Sequence, residues 1–145
     1  MKIVIQRCLE ASVQVDGLIV AQINKGLVLL VCIEKTDQEK NIAEAAQKII
    51  QLRCFQDSTT GKMGSTLSQM NGEILAISQF TLSWDGKKGN RPSFDLSAPP
   101  DQAKLLFDGF VQQLLQSAPV KTGIFGADMK VQLINDGPVT FTLSF

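Results

Sequence analysis

The chain has 145 residues, 44% of them apolar and 19% charged, and its fourteen basic residues balance fourteen acidic ones. That length suits one domain with one core, and the composition excludes a disordered or low-complexity chain. Without a basic excess, any nucleic-acid contact must come from a local patch rather than from the overall field.

The first residues, Met1-Lys2-Ile3-Val4-Ile5, soon meet a charge at Arg7. No apolar stretch there is long enough for a signal peptide or a spanning helix, so the expectation is a cytoplasmic protein with no membrane partner. Val13 and Val15 alternate with polar residues, Asp16-Gly17 supplies a tight turn, and residues 18–23 resume an apolar run, which together predict a β-hairpin. Residues 27–33 are continuously apolar and read as a strand buried on both faces.

Thr36 and Glu39 have the spacing of a capping box, and Ile42, Ala45, Ala46 and Ile49 recur at helical intervals, predicting a first helix from about residue 37 to residue 50. A short strand near residues 52–55, a polar turn over 57–62 and an Asn71-Gly72 turn precede a strand predicted over 73–82. Residues 83–100 form a long loop punctuated by Gly and Pro, and they hold the best basic patch, Lys87, Lys88 and Arg91. Pro99-Pro100-Asp101 opens a second helix with Ala103, Leu106, Phe107, Phe110 and Leu114 in helical register. In the tail, Met129, Val131 and Leu133 mark one strand and Val139, Phe141, Leu143 and Phe145 the next, with Asn135-Asp136-Gly137-Pro138 as the turn between them. The sum is an α+β fold: a single compact domain over residues 1–145, with antiparallel or mixed sheets and two main helices.

Cys8, Cys32 and Cys54 are odd in number and widely spaced, which suggests neither a disulfide framework nor a zinc site. There is no histidine and no tyrosine. Ser-His-Asp and Cys-His catalysis and histidine-based metal sites are therefore excluded, leaving carboxylates, lysines, hydroxyls, backbone groups or the substrate itself. Such a toolkit suits a labile bond, for which positioning and a preformed oxyanion hole suffice.

Ser78-Gln79-Phe80-Thr81-Leu82 is followed by Lys88-Gly89-Asn90-Arg91-Pro92-Ser93-Phe94, then by Gly123-Ile124-Phe125-Gly126-Ala127-Asp128-Met129 and by Asn135-Asp136-Gly137-Pro138-Val139-Thr140. In this order, in a chain opening Met-Lys-Ile-Val-Ile-Gln-Arg, these motifs resemble the D-aminoacyl-tRNA deacylase family from end to end. The resemblance implies a barrel-like core, a homodimer, no cofactor or metal, no DNA partner, and a substrate that is the 3′ end of tRNA carrying a D-amino acid or glycine, including glycine mischarged on tRNA-Ala. It makes Ser78, Gln79, Phe80 and Thr81 the catalytic segment, with the N–H groups of Phe80 and Thr81 polarising the ester carbonyl and the Thr81 hydroxyl acting as nucleophile or positioning water. Gly137-Pro138, with a cis peptide bond, would enter the partner's site and reject L-amino acids.

The resemblance also implies that Phe125 and Met129 receive the terminal adenine, a role that competes with plain core packing. Lys87, Lys88 and Arg91 would meet phosphate, although solvated loops carry such charges without a partner. Ser83-Trp84-Asp85-Gly86 departs from the family pattern. Two other readings stay open: a dimeric RNA-binding module without catalysis, and a hydrolase of small D-amino acid derivatives.

Overall fold

Along the first residues, Met1, Ile3, Ile5 and Arg7 are buried while Lys2, Val4 and Gln6 between them are half-buried, the two-residue period of a strand with one face inward. The computed structural model describes residues 1–145 apart from Ser58 and Lys88. In chain order it holds β1 (Lys2–Val15), β2 (Leu18–Ile23), β3 (Gly26–Cys32), α1 (Glu39–Gln51), β4 (Phe55–Gln56), β5 (Met63–Ser65), β6 (Glu73–Ser78), α2 (Pro100–Leu115), β7 (Val120–Thr122) and β8 (Lys130–Ser144).

The long β1 organises the sheet. One edge pairs antiparallel with β2 and then β3, end to end, while the other edge pairs with β8 over most of its length. The predicted hairpin forms with Asp16 and Gly17 both at positive φ (51° and 79°), the geometry that lets a two-residue turn follow the strand twist. β6 joins β3 in parallel and β7 joins β6 in parallel, so the sheet is mixed. β2 also lies against β6 and β7, and Lys121 Nζ donates to the Gln22 carbonyl at 2.6 Å, which curls the sheet toward a barrel.

Two apolar clusters fill the two sides. Ile3, Ile5, Leu27, Leu29 and Val31 pack against Ile42, Ala45, Ala46 and Ile49 of α1 and Phe107, Phe110 and Leu114 of α2. Val28, on the opposite face of β3, packs with Cys8, Val13, Ile23, Leu75 and Ile77. This is why residues 27–33 read as continuously apolar. No helix among the described residues is long and apolar enough to cross a membrane.

Three predicted boundaries are corrected. The first helix is capped not by Thr36 with Glu39 but by Gln38, whose N–H is accepted by Asn41 Oδ1 at 3.0 Å. Asp37 is unable to open the helix because its buried carboxylate accepts the Glu34 N–H at 2.7 Å and pairs with the Met1 ammonium. The strand predicted to reach residue 82 ends at Ser78, since Gln79 N–H makes the last bond to Val31 (2.7 Å) and the chain then closes a 3-10 turn over Phe80–Ser83. The short strand predicted near 52–55 lies at Phe55–Gln56 and pairs with β5.

The tail holds the largest difference. Residues 130–134 and 140–144 both pair with β1 in the same antiparallel sense, so the chain does not reverse between them. Asn135 faces Cys8 and Thr140 faces Gln6, which leaves residues 136–139 opposite Arg7 alone. Asn135-Asp136-Gly137-Pro138 is therefore not a hairpin turn: it leads into a long bulge over residues 136–139 within one strand.

Candidate active site

The end of β6 opens into a cavity of about 300 Å³. Its floor is Val31, Ile33 and Ile77, its far wall is Ala103 and Phe107 of α2, and its lip is Phe125 through Met129 with Val131. Ser78, Gln79 and Phe80 form the polar side, so five of the residues singled out in sequence surround one space: Ser78, Gln79, Phe80, Phe125 and Met129. Thr81 does not line the cavity, but its Oγ1 accepts a 2.6 Å bond from Gln79 Nε2, which ties it to a residue that does.

Local geometry explains the polar wall. Gln79 leaves the ladder with φ −143° and ψ 78°, and the 3-10 turn starts at Phe80. The leading N–H groups of any helical turn have no partner within it. Here they belong to Phe80, which lines the cavity, and to Thr81, its neighbour in the chain, two adjacent backbone donors in an arrangement suited to an oxyanion.

Phe125 packs at a tilt on Phe107, with ring centroids 6.3 Å apart, and is half-buried. Met129 is also half-buried, and its sulfur lies where a Cβ on Gly123 would be, so that glycine makes room for the thioether. Phe80 meets Phe94 edge-on at 5.0 Å, and the loop beyond returns to β3 through the Ala98 N–H bond to Ile33 O (3.0 Å). The basic loop is thus fastened to the cavity at its far end. Lys87 and Arg91 are exposed on it, Lys87 Nζ standing 3.8 Å from Asp85; Lys88 lies outside the described residues.

Gly137 and Pro138 are not brought to this cavity. They sit exposed on the β8 bulge, joined by a cis peptide bond, with Gly137 at φ +129°. A Cβ there would lie 2.8 Å from Val139 Cγ2 and 3.1 Å from an Arg7 guanidinium nitrogen, so glycine is required on both counts.

Arg7 is the functional candidate that the motif reading passed over. Only 7% exposed, it donates from Nε to the Asp136 carbonyl (3.0 Å), pairs with the Asp136 carboxylate (3.1 Å) and donates from Nη1 to the Cys54 carbonyl. Gln6 beside it donates to Asn135 Oδ1 and Val139 O and accepts from Thr140 Oγ1. Both ends of the bulge are held from β1. The signal was present in sequence: position 7 has the buried phase of Met1, Ile3 and Ile5, and a charge there needs a built partner.

All three cysteines are free and buried. Burial pushes the Cys8 thiol up to about 11 and raises Cys32 and Cys54 as well, so none is poised as a nucleophile at neutral pH.

Comparison with known proteins adds a family. The profile described as "D-Tyr-tRNA(Tyr) deacylase" matches residues 4–144. A solved structure titled "c-Myc DNA Unwinding Element Binding Protein" is 38% identical, covers 100% of this chain and 99% of its own, and superposes with a TM-score of 0.95. Another, titled "Structural Analysis of a probable eukaryotic D-amino acid tRNA deacylase", is 16% identical over 98% of this chain and 97% of its own, with a TM-score of 0.83, and is alike in fold.

Proposed function

The chain belongs to the D-Tyr-tRNA(Tyr) deacylase family, a group of aminoacyl-tRNA ester hydrolases in translation quality control, and on that premise we propose that it cleaves D-aminoacyl-tRNA and glycyl-tRNA, including glycine mischarged on tRNA-Ala, in the cytoplasm. The observation that carries the reading is the pair of adjacent leading N–H groups at Phe80, on the wall of the cavity, and at Thr81 next to it in the chain, in a protein with no histidine.

In the proposed reaction the terminal adenine lies between Phe125 and Met129, which places the ester carbonyl at the 3-10 turn. Water adds to the carbonyl carbon, the developing oxyanion is held by the two amides, and the bond to the ribose oxygen breaks. The neighbouring 2′-hydroxyl of the substrate relays the proton to the departing oxygen, so D-amino acid and free tRNA leave. Ser78 and Gln79 orient the backbone. The Gln79 side chain engages the Thr81 hydroxyl, which positions water and is not itself the nucleophile, since no base stands ready to ionise it. Lys87, Lys88 and Arg91 meet the phosphates.

Selectivity in this reading comes from a second copy of the chain. The outer edge of β8 has no strand partner among the described residues, and exposed Val131 and Ile134 lie along that strand. An unpaired fifteen-residue edge invites covering. In the homodimer, Gly137 and Pro138 of one copy enter the cavity of the other, turn their carbonyls to the substrate α-ammonium and fill the space of an L side chain. Glycine has no Cβ to be refused.

The test is to incubate pure protein with D-Tyr-tRNA, L-Tyr-tRNA and glycyl-tRNA. Release from the first and third with L-Tyr-tRNA intact is expected; equal cleavage of both enantiomers, or of neither, contradicts the reading. One observation favours a second reading, nucleic-acid binding without turnover: the 38% identical structure is titled as a DNA-unwinding-element binding protein. That reading requires salt-dependent binding with every ester left intact.

A further inference from the structure

Trp84 stands in the segment that departs from the family pattern, and the reaction above leaves it without a role. It is the chain's sole tryptophan, and the residue is 39% exposed. Residues three apart in a 3-10 turn lie one above the other, about 6 Å along the axis. Trp84 ends the turn, its N–H bonded to the Thr81 carbonyl at 3.2 Å, so its side chain leaves the same side of the turn as that of Thr81. Four residues earlier, at the start of the same turn, Phe80 is 56% exposed and braced edge-on by Phe94. Immediately after Trp84 come Asp85 and Lys87, and Arg91 is exposed farther along the same loop.

An exposed indole and an exposed phenyl ring at the two ends of one short turn, followed by a loop that carries Lys87, paired with Asp85, and exposed Arg91, make a composition that binds single-stranded nucleic acid: π-faces for bases and positive charge for the backbone. We propose that Trp84 is a stacking platform for a cytosine of the unpaired CCA end, just before the terminal adenosine of the tRNA substrate. This rests on the deacylase reading for the identity of the RNA. The base contributes an aromatic face rather than a hydrogen-bonding edge, so the platform grips the tRNA end irrespective of the amino acid it carries.

With one tryptophan and no tyrosine, intrinsic emission reports Trp84 alone. Uncharged tRNA, the same tRNA trimmed of its last three nucleotides, and adenosine monophosphate are titrated into the full-length protein. Quenching by intact tRNA, with little from the trimmed RNA or the mononucleotide, is expected. Trp84→Ala should then raise the KM for D-Tyr-tRNA on the order of 10-fold relative to that for D-Tyr-adenosine, with Trp84→Phe recovering much of the loss, as base–aromatic stacking predicts.

Equal quenching by trimmed and intact tRNA, or none by either, overturns the proposal. So does an emission shift that follows protein concentration without RNA, which would assign the indole to the contact between subunits. Because quenching needs no turnover, a protein that binds the CCA end but leaves D-Tyr-tRNA intact refutes the deacylase reading and keeps the platform, whereas active protein without quenching does the reverse.

Discussion

Replacing Phe80 with proline deletes one backbone donor while disturbing little else. Proline fixes φ near −65°, which a 3-10 turn already uses, and it is tolerated at the first helical position, where its missing N–H has no partner in the turn. The residue before a proline must avoid helical torsions, and Gln79, at φ −143° and ψ 78°, does so. The ring is lost too, but Phe80 is largely exposed and, among the described residues, its one aromatic contact is Phe94, so Phe80→Ala serves as the control for the side chain. Removing a single oxyanion donor costs about 10²–10³ in kcat elsewhere, or roughly 3–4 kcal/mol of transition-state stabilisation. In single-turnover hydrolysis of D-Tyr-tRNA, Phe80→Pro should therefore fall about that far below Phe80→Ala, with the two melting within a few degrees of each other. Equal rates for the two variants would refute the claim that main-chain amides carry the reaction.

Thr81→Val removes the hydroxyl bonded to Gln79 and keeps the amide; kcat should stay within about 10-fold of wild type, whereas a loss near 10⁴ would make Thr81 the nucleophile. Arg7→Lys keeps a charge but loses the fork that reaches Cys54 and Asp136 together, so calorimetry should show about 1–3 kcal/mol of lost stability and deacylation should fall; full activity would show that the bulge needs no bracing. Stability should also drop in alkali. Unfolded thiols ionise near 9.0 and buried Cys8 only at about 11, so above pH 9 the unfolded chain holds fewer protons and the Cys8 contribution, on the order of 2–3 kcal/mol, disappears as pH rises to 11. Wild type should lose melting temperature faster than Cys8→Ala across that window, and parallel slopes would contradict the assignment.

Much of this was legible in sequence where local chemistry and tertiary demand agree. Asp16-Gly17 can hardly do other than turn, and the continuous run of β3 announces burial on both faces. Legibility failed where the deciding partner is distant. Alternation before and after Asn135–Pro138 looks the same whether the chain reverses or bulges, and only the shared neighbour β1 decides. Phe80, Thr81 and Leu82 have strand propensities, yet β6 stops because its partner β3 ends and leaves Val31 as the last acceptor. β7 is three residues long, too short for any period to show.

The site divides likewise. The family resemblance grouped Ser78, Gln79, Phe80, Thr81, Phe125 and Met129, and all but Thr81 line one cavity. Arg7 was visible only as a charge in an apolar phase, and its purpose required the bulge it holds.

Subunit complementation tests the central claim most directly. Phe80→Pro impairs the cavity, and Gly137→Ala impairs the bulge because its Cβ would come within 2.8 Å of Val139. Each homodimer should be nearly inactive on D-Tyr-tRNA, the first for want of an oxyanion donor and the second because its displaced carbonyls no longer hold the substrate α-ammonium. After equal mixing and exchange, about half the dimers are mixed and hold one intact site of two, so activity should return to about a quarter of wild type. No recovery, with exchange verified by mass, would mean that the cavity and the bulge do not meet across subunits.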